Sequence, residues 1–241
     1  MSLPDVVSRE EWSEARLRLL AAEKELTRKR DALNADRRRL PMVRITTDYV
    51  FEGPAGKADL ASLFDDSRQL IVQHIMFGPD WEQPCPSCSA AINGMTPSLF
   101  ANLRSRQTAF VLVSRAPYAR IAQAAKERGW DVPWYSSYGS DFNFDFEVSF
   151  DKANPSSLRY NYRAEPWLAD YDAPTELPGF SCFLREGGEV FHTYSTFARG
   201  TEYIGNPYTL LDLTALGRQE AWEEPKGRAE SDRAGDPSFS S

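Results

Sequence analysis

Ser8 followed by Glu11 has the form of a capping box, no glycine or proline interrupts residues 8–40, and Trp12, Leu19, Leu26, Leu33 and Leu40 recur every seven residues. This pattern predicts one long helix with a one-sided apolar stripe, of the kind that packs on the chain's own body or on a second copy. The neighbouring heptad positions Ala15, Ala22, Lys29 and Asp36 lose apolar character along the chain, so the stripe stays narrow.

From Pro41 the period shortens. Val43–Ile45 and Tyr49–Phe51 read as short strands before the turn Glu52-Gly53-Pro54-Ala55-Gly56, and Leu60–Phe64 as a helical turn. Gln69–Phe77 is a β-branched apolar run of the length of a buried central strand, interrupted by Gln73 and His74. Residues 88–106 read as a helix bent or broken near Gly94 and Pro97. Ala109–Ser114 reads as a second buried strand, Tyr118–Arg128 as a helix ended by Gly129, and Val132–Tyr135 as the start of a third strand. Strands and helices in alternation imply a parallel α/β arrangement with right-handed crossovers.

Residues 136–178 break that alternation and read as an insertion. Phe142, Phe144, Phe146, Val148 and Phe150 alternate with polar residues in the pattern of a half-buried strand, and Arg159–Tyr171 adds further aromatics. Ser181–Arg185 and Glu189–Tyr194, joined by Glu186-Gly187-Gly188, predict a β-hairpin. Thr209–Gly217 reads as a closing helix with Gly217 at its C-cap. After Trp222 no apolar residue larger than alanine occurs until Phe239, so residues 223–241 are expected to form a disordered tail.

Composition narrows the classes. With 241 residues the chain can bury a sizeable core as one large domain with appendages. Three cysteines are too few for a disulfide framework, which leaves them to local chemistry. A net charge of −7 argues against a general nucleic-acid binder. The charge is uneven, because Arg28, Lys29, Arg30, Arg37, Arg38 and Arg39 make the helix a cationic arm on an acidic body. The start of the chain lacks the apolar core of a secretory signal, and its apolar runs fall far short of the ~20 residues that span a bilayer. The expectation is a cytoplasmic protein with reduced thiols and with neither membrane nor nucleic-acid partner.

Cys85-Pro86-Ser87-Cys88 carries the sharpest chemical signal. It follows a predicted buried strand and opens a predicted helix. Free N–H groups and the positive end of the helix dipole favour a thiolate at such a position, so Cys85 is the expected nucleophile. Cys88, one turn further in, can close a disulfide on Cys85 and so resolve a mixed disulfide with a substrate. Pro86 restricts the backbone between the two and is tolerated in a first helical turn. Zinc sites use the same spacing but need about four ligands. Only Cys182, His74 and His192 remain, each isolated in a predicted strand, so a redox pair with no metal or cofactor is the favoured reading. Cys182 reads as a buried small apolar residue and the two histidines as core or strand-surface residues.

The order of elements is similar to the thioredoxin fold, and the strands before Leu70 are similar to the extra N-terminal strands of its peroxiredoxin-like branches. More specifically, Met76-Phe77-Gly78-Pro79-Asp80-Trp81, Cys85-Pro86-Ser87-Cys88-Ser89 and Ser136-Ser137-Tyr138-Gly139-Ser140-Asp141-Phe142-Asn143 resemble the thioredoxin-like family catalogued as domain of unknown function 899, described as predicted dithiol-disulfide oxidoreductases. The resemblance spans roughly residues 10–217. It implies an α/β thioredoxin-like domain over 41–222, with the insertion at about 136–178 and the arm at 1–40. It also implies a thiol-disulfide exchange site with Cys85 and Cys88 as reacting groups, shaped by Trp81, Pro84, Pro86 and Ser87. A protein or small-molecule disulfide would be the substrate and an external thiol the reductant.

Two positions depart from thioredoxins, which usually place Trp before the first cysteine and Gly-Pro between the pair; here Pro84 and Pro86-Ser87 stand there. Thioredoxins also open the hairpin with a cis-proline, for which Pro178 is the nearest candidate, about two residues ahead of the predicted strand. Peroxidase chemistry is the weaker reading, because Glu82 stands where peroxiredoxins place a threonine and its carboxylate would repel a thiolate. The alternatives are a non-catalytic interaction protein that binds through the arm and the aromatic insertion, and a metal-bound cysteine pair. The arm also makes a homodimer an expected assembly.

Overall fold

The computed structural model describes residues 6–154, 157–172, 174–201, 207–219, 223, 224 and 226. Helix α1 (Arg9–Arg39) begins at the expected capping box: the Ser8 hydroxyl accepts from the Glu11 amide, and the Ser8 amide donates to the Glu11 carboxylate at 2.8 Å. Among the described residues its buried positions, Asn34, Ala35 and Arg38, all lie at its C-terminal end, where it meets the body. There Arg37 stacks on the Tyr194 ring and donates to the Asp212 carbonyl at 3.1 Å, and Arg38 pairs with Glu223 at 3.1 Å.

The strands are β1 (Val43–Arg44), β2 (Val50–Gly53), β3 (Gly56–Asp59), β4 (Gln69–His74), β5 (Thr108–Ser114), β6 (Trp134–Ser136), β7 (Ser149–Phe150), β8 (Arg159–Tyr160), β9 (Arg163–Ala164), β10 (Thr175–Glu176), β11 (Gly179–Glu186) and β12 (Glu189–Phe197). Eight of them form one sheet in the order β1-β12-β11-β4-β5-β6-β2-β3. β4, β5 and β6 run parallel, and β11 lies antiparallel to β4. β4 and β5 are buried along their whole length, which accounts for the apolar runs Leu70–Val72 and Ala109–Val113 at their centres.

Helices α2 (Pro86–Asn93) and α3 (Pro97–Arg104) connect β4 to β5, broken at Gly94 and Pro97 as expected. Helix α4 (Tyr118–Arg128) connects β5 to β6 and ends on left-handed Gly129. The hairpin of β11 and β12 turns through Gly187 and Gly188, whose φ of 58° and 83° suit a two-residue turn closed by glycines. A parallel pair bridged by the C-x-x-C helix, followed by a hairpin laid antiparallel beside the first strand, is the thioredoxin-like fold.

One face of the sheet packs on α2, α3 and α4 and on Leu210, Leu211 and Leu213 in and after α6 (Pro207–Leu211), around Ile71, Ile75, Leu112 and Phe180. The other face is closed by Tyr49, Phe51, Leu63 and Phe64 and by Phe142 and Phe146 of the insertion.

Four expectations need correction. Residues 142–150 are not one strand: Phe142–Asp145 form the short helix α5, and only Ser149–Phe150 pair, with β10. A period of two contains a period of four, so Phe142 and Phe146 also lie on one side of a helical turn, where their rings meet at 4.6 Å over the sheet. The sequence leaves the sheet positions of the early strands open. β1 joins the far edge beside β12, while β2 and an unforeseen β3 cover the opposite edge beside β6. The strand predicted to reach Phe77 ends at His74. The closing helix ends at Leu211, with turns through Gly217. Of the tail, Glu223 is buried against Arg38, whereas residues 227–241 lie outside the described residues.

Candidate functional site

Strand β4 runs out at His74, and the chain turns over the end of the sheet through Gly78 and Pro79 to the start of α2. At Gly78 the Trp81 indole lies close against the backbone, and a Cβ there would sit 3.0 Å from the indole nitrogen and press the ring aside. The loop is tied down from α4: Arg120 donates to the carbonyls of Pro79 and Trp81, and Arg128 to the Gln83 side chain. Trp81 packs against the core cluster that holds Cys88, and Pro84 is buried. These contacts fix the approach to the cysteines before the helix begins.

Cys85 is the N-cap of α2, half-buried, with its amide donating to the Met76 carbonyl at 2.9 Å. Pro86 occupies the first helical turn, where its missing N–H costs nothing, and Ser87 beside it is exposed. Cys88 is buried one turn in, and both thiols are free. Burial pushes the Cys88 thiol up to about 12; a backbone hydrogen bond from Met76 opposes this, and the adjacent Cys85, to which it is hydrogen-bonded, adds to it. The outer sulfur therefore meets solvent and the helix dipole, while the inner one is held as a thiol within reach of it.

Gln73, Ser87, Cys88, Pro178, Phe180 and Thr201 line a cavity of about 130 Å³ on the inner side of the pair. Gln73 shares the sheet face of Ile71 and Ile75, and its buried Oε1 has no hydrogen-bond partner. Pro178 directly precedes β11, whose first residue pairs with His74; the strand starts two residues earlier than expected, so the proline borders the cysteines after all. Tyr160, contributed by the insertion, donates to the Pro178 carbonyl and accepts from the Ala198 amide, both at 2.9 Å. Burial raises the Tyr160 hydroxyl above its ordinary value, and Cys88 contributes to that rise.

The remaining candidates are placed elsewhere. Cys182 is buried in β11, and burial pushes its thiol up to about 12. On the opposite face from Gln73, His74 bonds Ser181 at 2.9 Å, Ser181 bonds Ser195 at 2.9 Å, and His192 bonds Ser195 at 2.8 Å. Burial lowers His74 to about 3 and also lowers His192; His74 is a fully buried core residue and His192 a half-buried one on β12. Among the described residues no three His, Cys, Asp or Glu side chains are grouped to hold a metal ion, and no helix is long and apolar enough to cross a membrane. Glu82 is exposed in the loop.

Sequence reasoning missed Gln73 and Tyr160. Gln73 had a signal, since it and His74 interrupt the apolar run Leu70–Phe77; Tyr160 had none, because nothing local says which aromatic of the insertion reaches the sheet. The Ser136–Asn143 segment proves to be a clamp. The Ser137 hydroxyl donates to Asn143 at 2.8 Å, and Asn143 and Ser149 bond buried Glu176, which also pairs with Arg115 at 3.2 Å.

A dithiol at the head of the helix that follows the first strand of a β-α-β unit, on a sheet completed by an antiparallel hairpin, defines a thioredoxin-like protein. The chain belongs to the family described as "Bacterial protein of unknown function (DUF899)", whose profile matches residues 1–234. No curated protein matches it. Among solved structures it is similar to a mutant of PrxQ from Xylella fastidiosa, at 9% identity over 68% of this chain and 91% of that one, with a TM-score of 0.45. It is also similar to the peroxidoxin BcpB of Mycobacterium tuberculosis, at 14% identity over 63% and 84%, with a TM-score of 0.42. A third is a secreted Mycobacterium tuberculosis disulfide oxidoreductase homologous to E. coli DsbE, at 16% identity over 66% and 92%, with a TM-score of 0.32. These TM-scores all lie below 0.5, and the chemistry assigned below rests on the geometry of this chain.

Proposed function

We propose that the protein is a thiol-disulfide oxidoreductase that uses Cys85 as nucleophile and Cys88 as resolving cysteine. The observation that carries this reading is the asymmetry of the pair: Cys85 caps α2 half-buried at the head of the helix, while Cys88 lies buried one turn further in, where burial pushes its thiol up.

The Cys85 thiolate attacks one sulfur of a protein or small-molecule disulfide. A Cys85–substrate mixed disulfide forms, and the other substrate sulfur leaves as a thiolate. Cys88 then gives up its proton and attacks the Cys85 sulfur, closing the Cys85–Cys88 disulfide and releasing the second substrate sulfur. The two protons from the cysteines end on the two substrate thiols. The substrate gains two electrons and the protein loses two, which an external thiol reductant restores. Trp81, Pro84, Pro86 and Ser87 shape the surface around the attacking sulfur.

The test is turnover of a model disulfide with a thiol reductant. Cys85→Ser is expected to abolish reduction, and Cys88→Ser to accumulate a mixed disulfide on Cys85 detectable by intact mass. A wild-type protein that fails to cycle between dithiol and disulfide at any accessible potential sinks the proposal. Full cellular function in the doubly substituted Cys85→Ser, Cys88→Ser protein would instead favour a non-catalytic interaction role.

A further inference from the structure

The apolar stripe of α1 is exposed along its length: Trp12, Leu19, Leu26, Leu33 and Leu40 are 49%, 56%, 60%, 57% and 49% accessible. The ends of the arm are apolar as well. Val6 and Val7 lie exposed at the tip, and Met42 and Val43 at the root where the chain enters the body. From Trp12 to Leu40 the stripe is about 42 Å long. Residues 227–241 carry one large apolar side chain, Phe239, against the five of the stripe.

We propose that a second copy of this chain covers the stripe, its arm lying antiparallel about a two-fold axis at Leu26. A spacing of seven is symmetric about its middle member. Leu26 then meets the partner's Leu26, Leu19 meets the partner's Leu33, and Trp12 meets the partner's Leu40. The apolar tip of each arm lands on the apolar root of the other.

Charge selects the direction. In this register Glu23 falls opposite the partner's Lys29 and Arg16 opposite the partner's Asp36, while Glu10, Glu11 and Glu14 of the tip approach the partner's Arg37 and Arg39. A parallel pair in register would set Lys29 against Lys29, Asp36 against Asp36 and the arginine-rich ends together, which costs Coulomb energy at each contact. Ala22 opposite the partner's Arg30 sets a small side chain against a long one. Within one arm these groups hold exposed pairs, Arg16 with Glu23 at 2.8 Å, Lys29 with Glu25 at 2.7 Å and Asp36 with Arg39 at 3.2 Å. Such pairs are worth little and exchange readily for partners across an interface.

Sedimentation of the full chain at micromolar concentration tests the assembly, with twice the 27.3 kDa chain mass expected. Leu26→Glu, and independently Leu19→Glu, should return the mass to one chain at the same concentration, with far-ultraviolet circular dichroism of the body retained. Glu23→Lys alone should weaken association by placing Lys beside the partner's Lys29, and adding Lys29→Glu to the same chain should restore it. A single-chain mass at all concentrations overturns the proposal, as does a dimer mass that survives both leucine substitutions. A double charge variant that associates no better than Glu23→Lys overturns the antiparallel register.

Discussion

The six residues of β4 are all buried, whereas of the 31 residues of α1 only Asn34, Ala35 and Arg38 are. β4 is held by backbone ladders on both sides and by apolar layers on both faces, so its geometry is over-determined, and the loop and helix that follow inherit that rigidity. The arm is held by what lies within a turn or two of each residue: a capping box, exposed ion pairs and the anchorage of its last turns. The cysteine pair, whose proposed chemistry needs placement that does not drift, stands at the end of the first region. The second region presents surface, and its apolar residues face outward.

Truncation probes this contrast most strongly. Leu112→Ala, at a fully buried position on the strand beside β4, should cost about 2–5 kcal/mol of unfolding free energy in denaturant titration. Leu17→Ala, at a 65% exposed position off the stripe of the arm, should change it by no more than about 0.5 kcal/mol. Equal losses at the two sites would erase the distinction.

An intermediate effect concerns pH. Burial raises the Glu176 carboxyl from its ordinary value to about 7, against the hydrogen bond from Ser149 and the charge of Arg115. Because its folded value lies above the unfolded one, Glu176 contributes stability below pH ~4.5 that is lost as pH rises toward 7. His74, lowered to about 3 by burial, works with the opposite sign, gaining stability as pH rises from 3 to 6.5. The difference in melting temperature between wild type and Glu176→Gln should therefore shift in favour of the variant between pH 4.5 and 7.5. A pH-independent difference would show that Glu176 ionises in the fold as freely as in the unfolded chain.

The smallest effect should appear at the arm's first turn. Ser8→Ala removes the acceptor of the Glu11 amide and should cost about 1 kcal/mol locally, read as faster amide hydrogen exchange at the start of α1. The midpoint of global unfolding should stay put, because among the described residues none near Ser8 is buried against the body. A fall in that midpoint would mean that the arm and the sheet unfold together.

Much of the fold was legible wherever a pattern had one structural solution. The buried runs Leu70–Val72 and Ala109–Val113 as strands, the break at Gly94 and Pro97, the stop at Gly129 and the Gly187-Gly188 hairpin all read correctly. The aromatic alternation of 142–150 did not, because period two and period four share the same positions until packing chooses. Nor did the destination of β1, since two exposed residues carry no information about which sheet edge they will pair with.

What the sequence by itself determined is local: the C-x-x-C at the head of a helix, the capped arm with its seven-residue stripe, the hairpin turn. Each depends on residues within a turn or two of one another. Only the tertiary structure decided that Cys88 is buried and Cys85 only half so, that Gln73 and Pro178 share a cavity with Cys88 and Tyr160 holds the Pro178 carbonyl, that Glu176 is held by Ser149 and Arg115, and that the stripe faces water. Those properties come from groups dozens of residues apart that meet only when the sheet closes, and desolvation, which sets the state of the inner thiol, exists only once they have met.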